Sequence, residues 1–328
     1  MTPPERDAVV TETERWLVAH GLPYFVESEH EDVDAALGRP RLVTLVAGAL
    51  LLAGLVAAGV GWWTRDPSAT LLAAIVTFGA AVVAYAVVEL SAWPILRWAV
   101  RHTLGSLRLL FPLVTRALPL LLLFVTFLFI NAEVWQVAGG LDSALLWIVV
   151  VLFAGLGVLF LLVRLPEEVG RVTTETDGRQ LAAHCQGTPV EPVARQLGGE
   201  VRPGLLRPLQ RANLLLVLLV TQAAQVLLLS LSVFAFFVLF GRLTMTPDVV
   251  QSWVGGDAPR PLGSTELISV ELLQVSVFLA AFSALYFIVY AVTDETYRRE
   301  FFSSVTAELE RAIGVLTVYR VLRDADPP

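Results

Sequence analysis

Residues 212–240 read ANLLLVLLVTQAAQVLLLSLSVFAFFVLF, twenty-nine positions without one charged side chain. A bilayer core of about 30 Å asks for about 20 apolar residues wound as a helix, so this stretch is long enough to cross. It lacks the apolar–polar alternation of a membrane β-barrel strand. Five further stretches share its character: 42–63, 70–93, 117–138, 144–163 and 269–292. The pattern predicts an all-α chain, a polytopic bundle of six transmembrane helices. It divides the chain into an N-terminal amphipathic arm (1–41), a membrane domain (42–292) with connections at 94–116 and 164–211, and a C-terminal helix (293–328).

The composition supports that frame. Of 328 residues, 56% are hydrophobic and 16% charged, with a mean hydropathy of +0.70; ordinary soluble domains carry about 25% charged residues. Such hydrophobicity excludes disorder, and a single cysteine, Cys185, excludes a disulfide scaffold. Only Glu89, Glu133 and Glu271 place charges inside a span. The other 50 charged residues occupy the 187 positions outside, a density of 27% that is ordinary for water-facing protein. With a net charge of −7, no nucleic-acid partner is expected.

All 23 basic residues are arginine. Twenty lie in the arm, the two long connections and the tail, against three in 64–69, 139–143 and 241–268. Cytoplasmic segments carry the excess of basic residues, so both termini are expected in the cytoplasm of a plasma-membrane protein. The first 41 residues hold nine acids against four arginines, unlike the basic start of a signal peptide, so the first span is expected to stay as an anchor. On this topology Cys185 should react with a membrane-permeant maleimide in intact cells and resist an impermeant one.

The arm opens Thr2-Pro3-Pro4-Glu5, a capping box with proline at the first helical position. Its helix should run through Trp16 and Leu17 and stop at Gly21, with Pro23 beyond; the acid-rich 27–34 reads as a solvated linker. In the tail, Phe302, Val305, Leu309, Ala312, Leu316 and Tyr319 follow heptad spacing. The run is short for a coiled coil, so docking on another cytoplasmic element is expected, with self-association or an unidentified protein partner as the other uses. Connection 164–211 looks too polar for a core of its own, with short helices around 179–184 and 193–197. In span one, Ala49, Ala53, Ala57 and Gly61 repeat every four residues, and Gly54 and Ala58 form a second pair. Small residues at that spacing let helices approach closely, within the chain or across a dimer, and enlarging Gly54 to Leu should disturb either.

Segment 94–116 has no acid. Arg97, Arg101 and Arg108 share one helical face, interleaved with Trp98, Leu104, Leu107 and Phe111, which reads as an interfacial helix against the bilayer and its anionic headgroups. A plain topology determinant is the alternative.

No chemistry-bearing motif stands out. The histidines His20, His30, His102 and His184 are scattered and converge on no metal set. Glu167-Glu168-Val169-Gly170-Arg171 is one residue short of the Glu-Glu-x-x-x-Arg of membrane CAAX-type proteases, without the partner histidine motifs. No enzyme activity, metal or cofactor is expected. What remains is polarity within spans, a functional reading by default. Span three offers Asn131, Glu133 and Gln136; the last two share a face with Thr126, and Asn131 points away beside Trp135. Span five offers Gln222 at the midplane, and Gln225 on a stripe with Thr221 and Ser232. These either line a path or bond between helices. No span carries a mid-helix proline, which counts against the broken helices of transporters.

Several strings are similar to those of an uncharacterised multi-pass integral membrane protein family of actinobacteria. They are Trp16-Leu17 with Gly21-Leu22-Pro23-Tyr24-Phe25, FLFINAEVWQVA at 127–138, the stretch at 210–241 and FLAAFSALYFIVYAVTDETYRREFF at 278–302. The resemblance implies a plasma-membrane location and no particular activity. Two function classes stay open: a non-enzymatic structural or interaction component, and a small transporter or channel with a polar path between spans three and five.

Overall fold

The computed structural model describes residues 3–26, 39–88, 92–105, 122–175, 181–197, 206–255, 258–262, 268–293 and 295–324. The described residues form helices and connecting turns, with one isolated bridge between Pro261 and Ser269. The helices are α1 (Pro3–Ala19), α2 (Arg39–Thr64), α3 (Pro67–Val88), α4 (Ala92–Gly105), α5 (Leu122–Phe129), α6 (Ala132–Gly139), α7 (Ser143–Glu175), α8 (Leu181–His184), α9 (Glu191–Leu197), α10 (Pro208–Thr244), α11 (Pro247–Val254), α12 (Val270–Thr293) and α13 (Glu295–Asp324). Five of them, α2, α3, α7, α10 and α12, are long and apolar enough to cross a membrane. The bent pair α5–α6 is a sixth candidate.

The bundle is built around α7, α10 and α12, which all pack on one another. Between α10 and α12, Ser230 Oγ donates to the Ala280 carbonyl at 3.0 Å. Gly241 permits the closest approach at their far end: a Cβ there would stand 2.3 Å from Leu272 Cδ1 and 2.9 Å from Phe129 Cζ. The α2–α3 hairpin is peripheral, with α3 packing against α4 and α7. Its outer turn is tight, with Gly61 facing Thr70. Ala49, Ala53 and Ala57 form its buried stripe, so small-residue spacing serves packing within the chain. Gly54 faces open space with nothing within 4 Å, which corrects the expectation that enlarging it disturbs packing inside the chain.

Span three is not the continuous helix expected over 117–138. Residues 117–121 lie outside the described set, and α5 and α6 meet at 77°. The break needs no proline. Asn131 is extended (φ −102°, ψ 119°), and its side chain accepts the Glu133 N–H at 2.8 Å, capping α6. The Phe129 carbonyl, freed from the helix ladder, accepts the Trp135 indole N–H at 2.7 Å. The Glu133 N–H and the Phe129 carbonyl are thus both satisfied at the break. Thr126 and Glu133 consequently sit on different helices, and the common face read for them does not form.

The remaining boundaries shift less. Span two ends at Val88, and Trp93 belongs to α4 rather than to 70–93. The helix of span four runs well past Val163 to Glu175 through Pro166. Proline costs it one ladder bond, but buried Leu161, Leu165 and Val169 keep one apolar stripe running past it.

Five long apolar helices make up the bundle, and the bent pair α5–α6 is the candidate sixth passage. At one end α1 packs against α13 and α4, with Trp98 of α4 lying 3.3 Å from where a Gly21 Cβ would be. At the other, Gly139 lies against Val254 and the Cβ of Glu271. α4 and α6 therefore lie at opposite ends of the bundle, and α5 points toward the end that holds α6. Phe124 stacks on Tyr286, deep along α12, and Phe129 stacks on Phe237, near the far end of α10. Both described chain ends lie at the α1–α13 end.

Candidate functional site

The described part of the arm, 3–26, takes the helix and stop read from the sequence, while Thr2 of the capping box and the acid-rich 27–34 lie outside the described residues. α1 stops at Ala19, Gly21 takes the left-handed conformation (φ +75°), and Pro23–Phe25 make a single 3-10 turn. Leu17, Leu22, Tyr24 and Phe25 are buried. What fixes this turn is Asn213, at the start of span five. The Tyr24 N–H donates to its Oδ1 at 3.0 Å, and its Nδ2 donates to the Gly21 carbonyl at 2.9 Å. Asn213 is fully buried and joins two chain segments 189 and 192 residues apart. One turn earlier, Gln210 Oε1 accepts from the Arg207 N–H at 3.1 Å and from Arg320 of α13 at 2.7 Å.

α13 completes the assembly. Leu309, Ala312, Leu316 and Tyr319 are buried, as their heptad spacing predicts, and the seam docks on α1 within the same chain. Phe302 and Val305 belong to the helix, but their side chains lie outside the described set. The Tyr319 hydroxyl donates to Glu14 at 2.8 Å; burial, and then that bond, push its phenol pKa up. α8 and α9 fall where short helices are expected and share a core instead of making one. Leu181, Cys185, Val190 and Ala194 are buried, α8 packs on α13, and the Gly314 backbone lies against His184 and Cys185. The result is a platform at one end of the bundle, made of α1, α4, α8, α9, α13 and the near ends of α7 and α10.

Cys185 is fully buried, and burial followed by the Glu191 charge pushes its thiol pKa up to about 12. The expected reaction with a permeant maleimide is therefore corrected. A buried, protonated thiol is a poor nucleophile and reacts slowly whichever side the reagent is on. A cleft of about 20 Å³ between Trp16, His20, Trp98, Thr221, Glu308 and Leu309 has room for one water.

The polar residues of spans three and five are not brought together. Asn131 is spent on capping α6, while Glu133 and Gln136 are exposed at the far end. Gln222 and Gln225 are buried inside the bundle. Phe237 marks the level of α5's far end, and at 1.5 Å per residue it lies about 18 Å beyond Gln225 along α10. Thr221 bonds its own helix at the Val217 carbonyl, and Ser232 does the same at Leu228. The bond between helices comes from Ser230, which the sequence did not single out. Gln225 Oε1 has no hydrogen-bond partner among the described residues.

The far end is closed by aromatic packing. Phe129 stacks on Phe237 at 4.9 Å, meets Trp135 edge-on at 5.4 Å, and Trp135 meets Trp253 of α11 at 6.1 Å. Glu271 does more than start a helix. It is buried, and its carboxylate accepts from the Arg260 backbone N–H at 3.1 Å and from Arg260 Nε at 2.9 Å. Gln274 donates to the Leu141 carbonyl at 2.9 Å, tying α12 to the turn before α7.

Of the headgroup candidates, Arg97 and Arg101 are exposed on α4, whose opposite side buries Ile95. Arg108 and Glu89 lie outside the described residues. Glu167, of the Glu-Glu-x-x-x-Arg-like string, is exposed and pairs with Arg164 one turn back. Among the described residues, no three His, Cys, Asp or Glu side chains gather as a metal set would require. No protein-family model, curated protein or solved structure matches this chain. Its membrane character accordingly rests on its own five or six long apolar helices.

Proposed function

We propose that this is a multi-pass protein of a bacterial plasma membrane, with both termini cytoplasmic. In this reading it acts as a non-enzymatic structural or interaction component that holds a folded helical platform at the membrane surface. The platform carries the reading. Both chain ends and residues 181–197 are folded onto the near ends of α7 and α10. Those helices are 33 and 37 residues long, or about 50 and 55 Å, well beyond a hydrocarbon core of about 30 Å. The cytoplasmic assignment follows from the arginine count, since the platform end belongs to the segments holding 20 of the 23.

A photo-crosslinking residue tests the reading from the exposed platform positions Arg15 and Gln186. Discrete adducts in intact cells are expected. The adduct at Arg15 should weaken when Asn213→Leu removes the two bonds that hold the arm. Absence of adducts at both positions would count against an interaction role.

The transporter reading keeps one specific observation in its favour, the buried and unbonded Gln225 amide oxygen in the middle of α10. Purified protein in liposomes should leak ions no faster than empty liposomes. Flux above that background, abolished by Gln225→Leu, would overturn the first reading in favour of the second.

A further inference from the structure

The α2–α3 hairpin is closed at its turn and open at its base. Gly61 sits against Thr70 beside the turn, whereas toward the platform end the two helices flank an open groove of about 690 Å³. Its walls are small and apolar: Gly48, Ala49 and Leu52 on α2, and Ala81 on α3. Its mouth is polar, with Arg41, Thr44 and Tyr85. From Arg41 to Leu52 the groove runs eleven residues, about 16 Å, which is the depth of one leaflet of a core about 30 Å thick. Its volume falls in the ordinary range for small-molecule sites, roughly 300–1,000 Å³.

We infer that this groove is a site for one anionic phospholipid of the inner leaflet, with an acyl chain between α2 and α3 and the headgroup phosphate on Arg41. Depth selects a lipid tail over a helix, because a packed helix from a second copy would need a groove running the full width of the membrane. Charge selects the headgroup. Arg41 is exposed at the mouth, and among the described residues no carboxylate pairs with it. Guanidinium binds phosphate through paired hydrogen bonds. Exposed Arg97 and Arg101 lie on α4, which packs against α3 at the same end, and they add to the positive field there. The assignment rests on the proposed cytoplasmic placement of this end, but the binding itself can be read in detergent, independently of orientation and of any partner.

The test uses the purified full-length protein with phosphatidylglycerol or phosphatidylcholine of identical chains, followed by native mass spectrometry and thermal unfolding. One phosphatidylglycerol should be retained per chain and should raise Tm, with phosphatidylcholine held more weakly. Gly48 lines the groove and has nothing within 4 Å of its Cβ position, so Gly48→Leu projects into the groove and should abolish retention with Tm unchanged in lipid-free detergent. Gly54→Leu is the same change on the same helix at another open position and should leave retention intact. Arg41→Ala should weaken phosphatidylglycerol binding about fivefold and leave phosphatidylcholine unaffected. Undiminished retention by Gly48→Leu would overturn the site. Equal binding of the two lipids, unmoved by Arg41→Ala, would overturn the headgroup assignment. A dimer that Gly48→Leu converts to monomer, with lipid retention unchanged, would give the groove to a second copy.

Discussion

Helices α3 and α12 are nearly indistinguishable as strings. Their most apolar stretches have mean hydropathies of 2.5 and 2.2. Yet half of that stretch of α12 is buried inside the protein, and none of α3's is. Apolar character fixes that a helix enters lipid. It does not fix which helix faces lipid all round, because a side chain meets much the same apolar surroundings against a lipid tail as against a neighbouring Leu. The difference lies in sparse polar and small residues. α12 carries Glu271, Gln274 and Ser276, all buried, and meets α10 at Gly241. α3 has no buried residue among those described, and its one glycine, Gly79, has nothing within 4 Å of its Cβ position.

The largest contrast should come from aromatic truncation. Trp135→Ala removes a fully buried ring and leaves the Phe129 carbonyl unpaired. It should cost about 3–5 kcal/mol, seen as a collapse of Tm in detergent. Val83→Ala on the exposed side of α3 should stay within about 0.5 kcal/mol. Glycines sharpen the contrast at smaller size. Gly241→Val forces a Cβ against Leu272 and Phe129 and should cost about 1–3 kcal/mol, whereas Gly54→Val costs little. Similar losses from Gly241→Val and Gly54→Val would break the distinction between centre and hairpin.

The smallest effect is at the platform, through Cys185. Its folded thiol pKa is raised from 9.0 to about 12, so the folded state holds the proton more tightly than the unfolded one. The thiol's contribution is fully present below pH 9 and declines as pH rises toward 12. Platform stability, followed by limited proteolysis of the arm, should fall over that window. Cys185→Ser should lessen the fall and leave the share that Tyr319, whose phenol pKa is also raised, contributes.

The apolar runs made the long helices and their order legible in the sequence, and Gly21 with Pro23 marked the end of the arm. The break at Asn131 was not legible. Its cause is a pair of hydrogen bonds, Asn131 to Glu133 and Trp135 to Phe129, and neither residue is a helix breaker by type. Asn213 was hidden inside a run of leucines, although an asparagine just past Arg211 and Ala212 is the kind of polar residue that sits where a span leaves the lipid. The span-five glutamines are buried in the bundle, but whether Glu133 met them depended on the bend. Cys185 misled for a similar reason. Its connection is polar, and what buries the thiol arrives from α13, more than a hundred residues away.

The account depends most on α5–α6 being one complete crossing, so that both ends of the chain share a side. Single cysteines at Arg65, Asp142 and Gln186, all exposed, in a Cys185→Ser background would test this in intact cells. Six crossings predict that the first two react with an impermeant maleimide and Gln186→Cys reacts only with a permeant one. Asp142→Cys protected alongside an accessible Gln186→Cys would make α5–α6 a re-entrant loop and contradict the account.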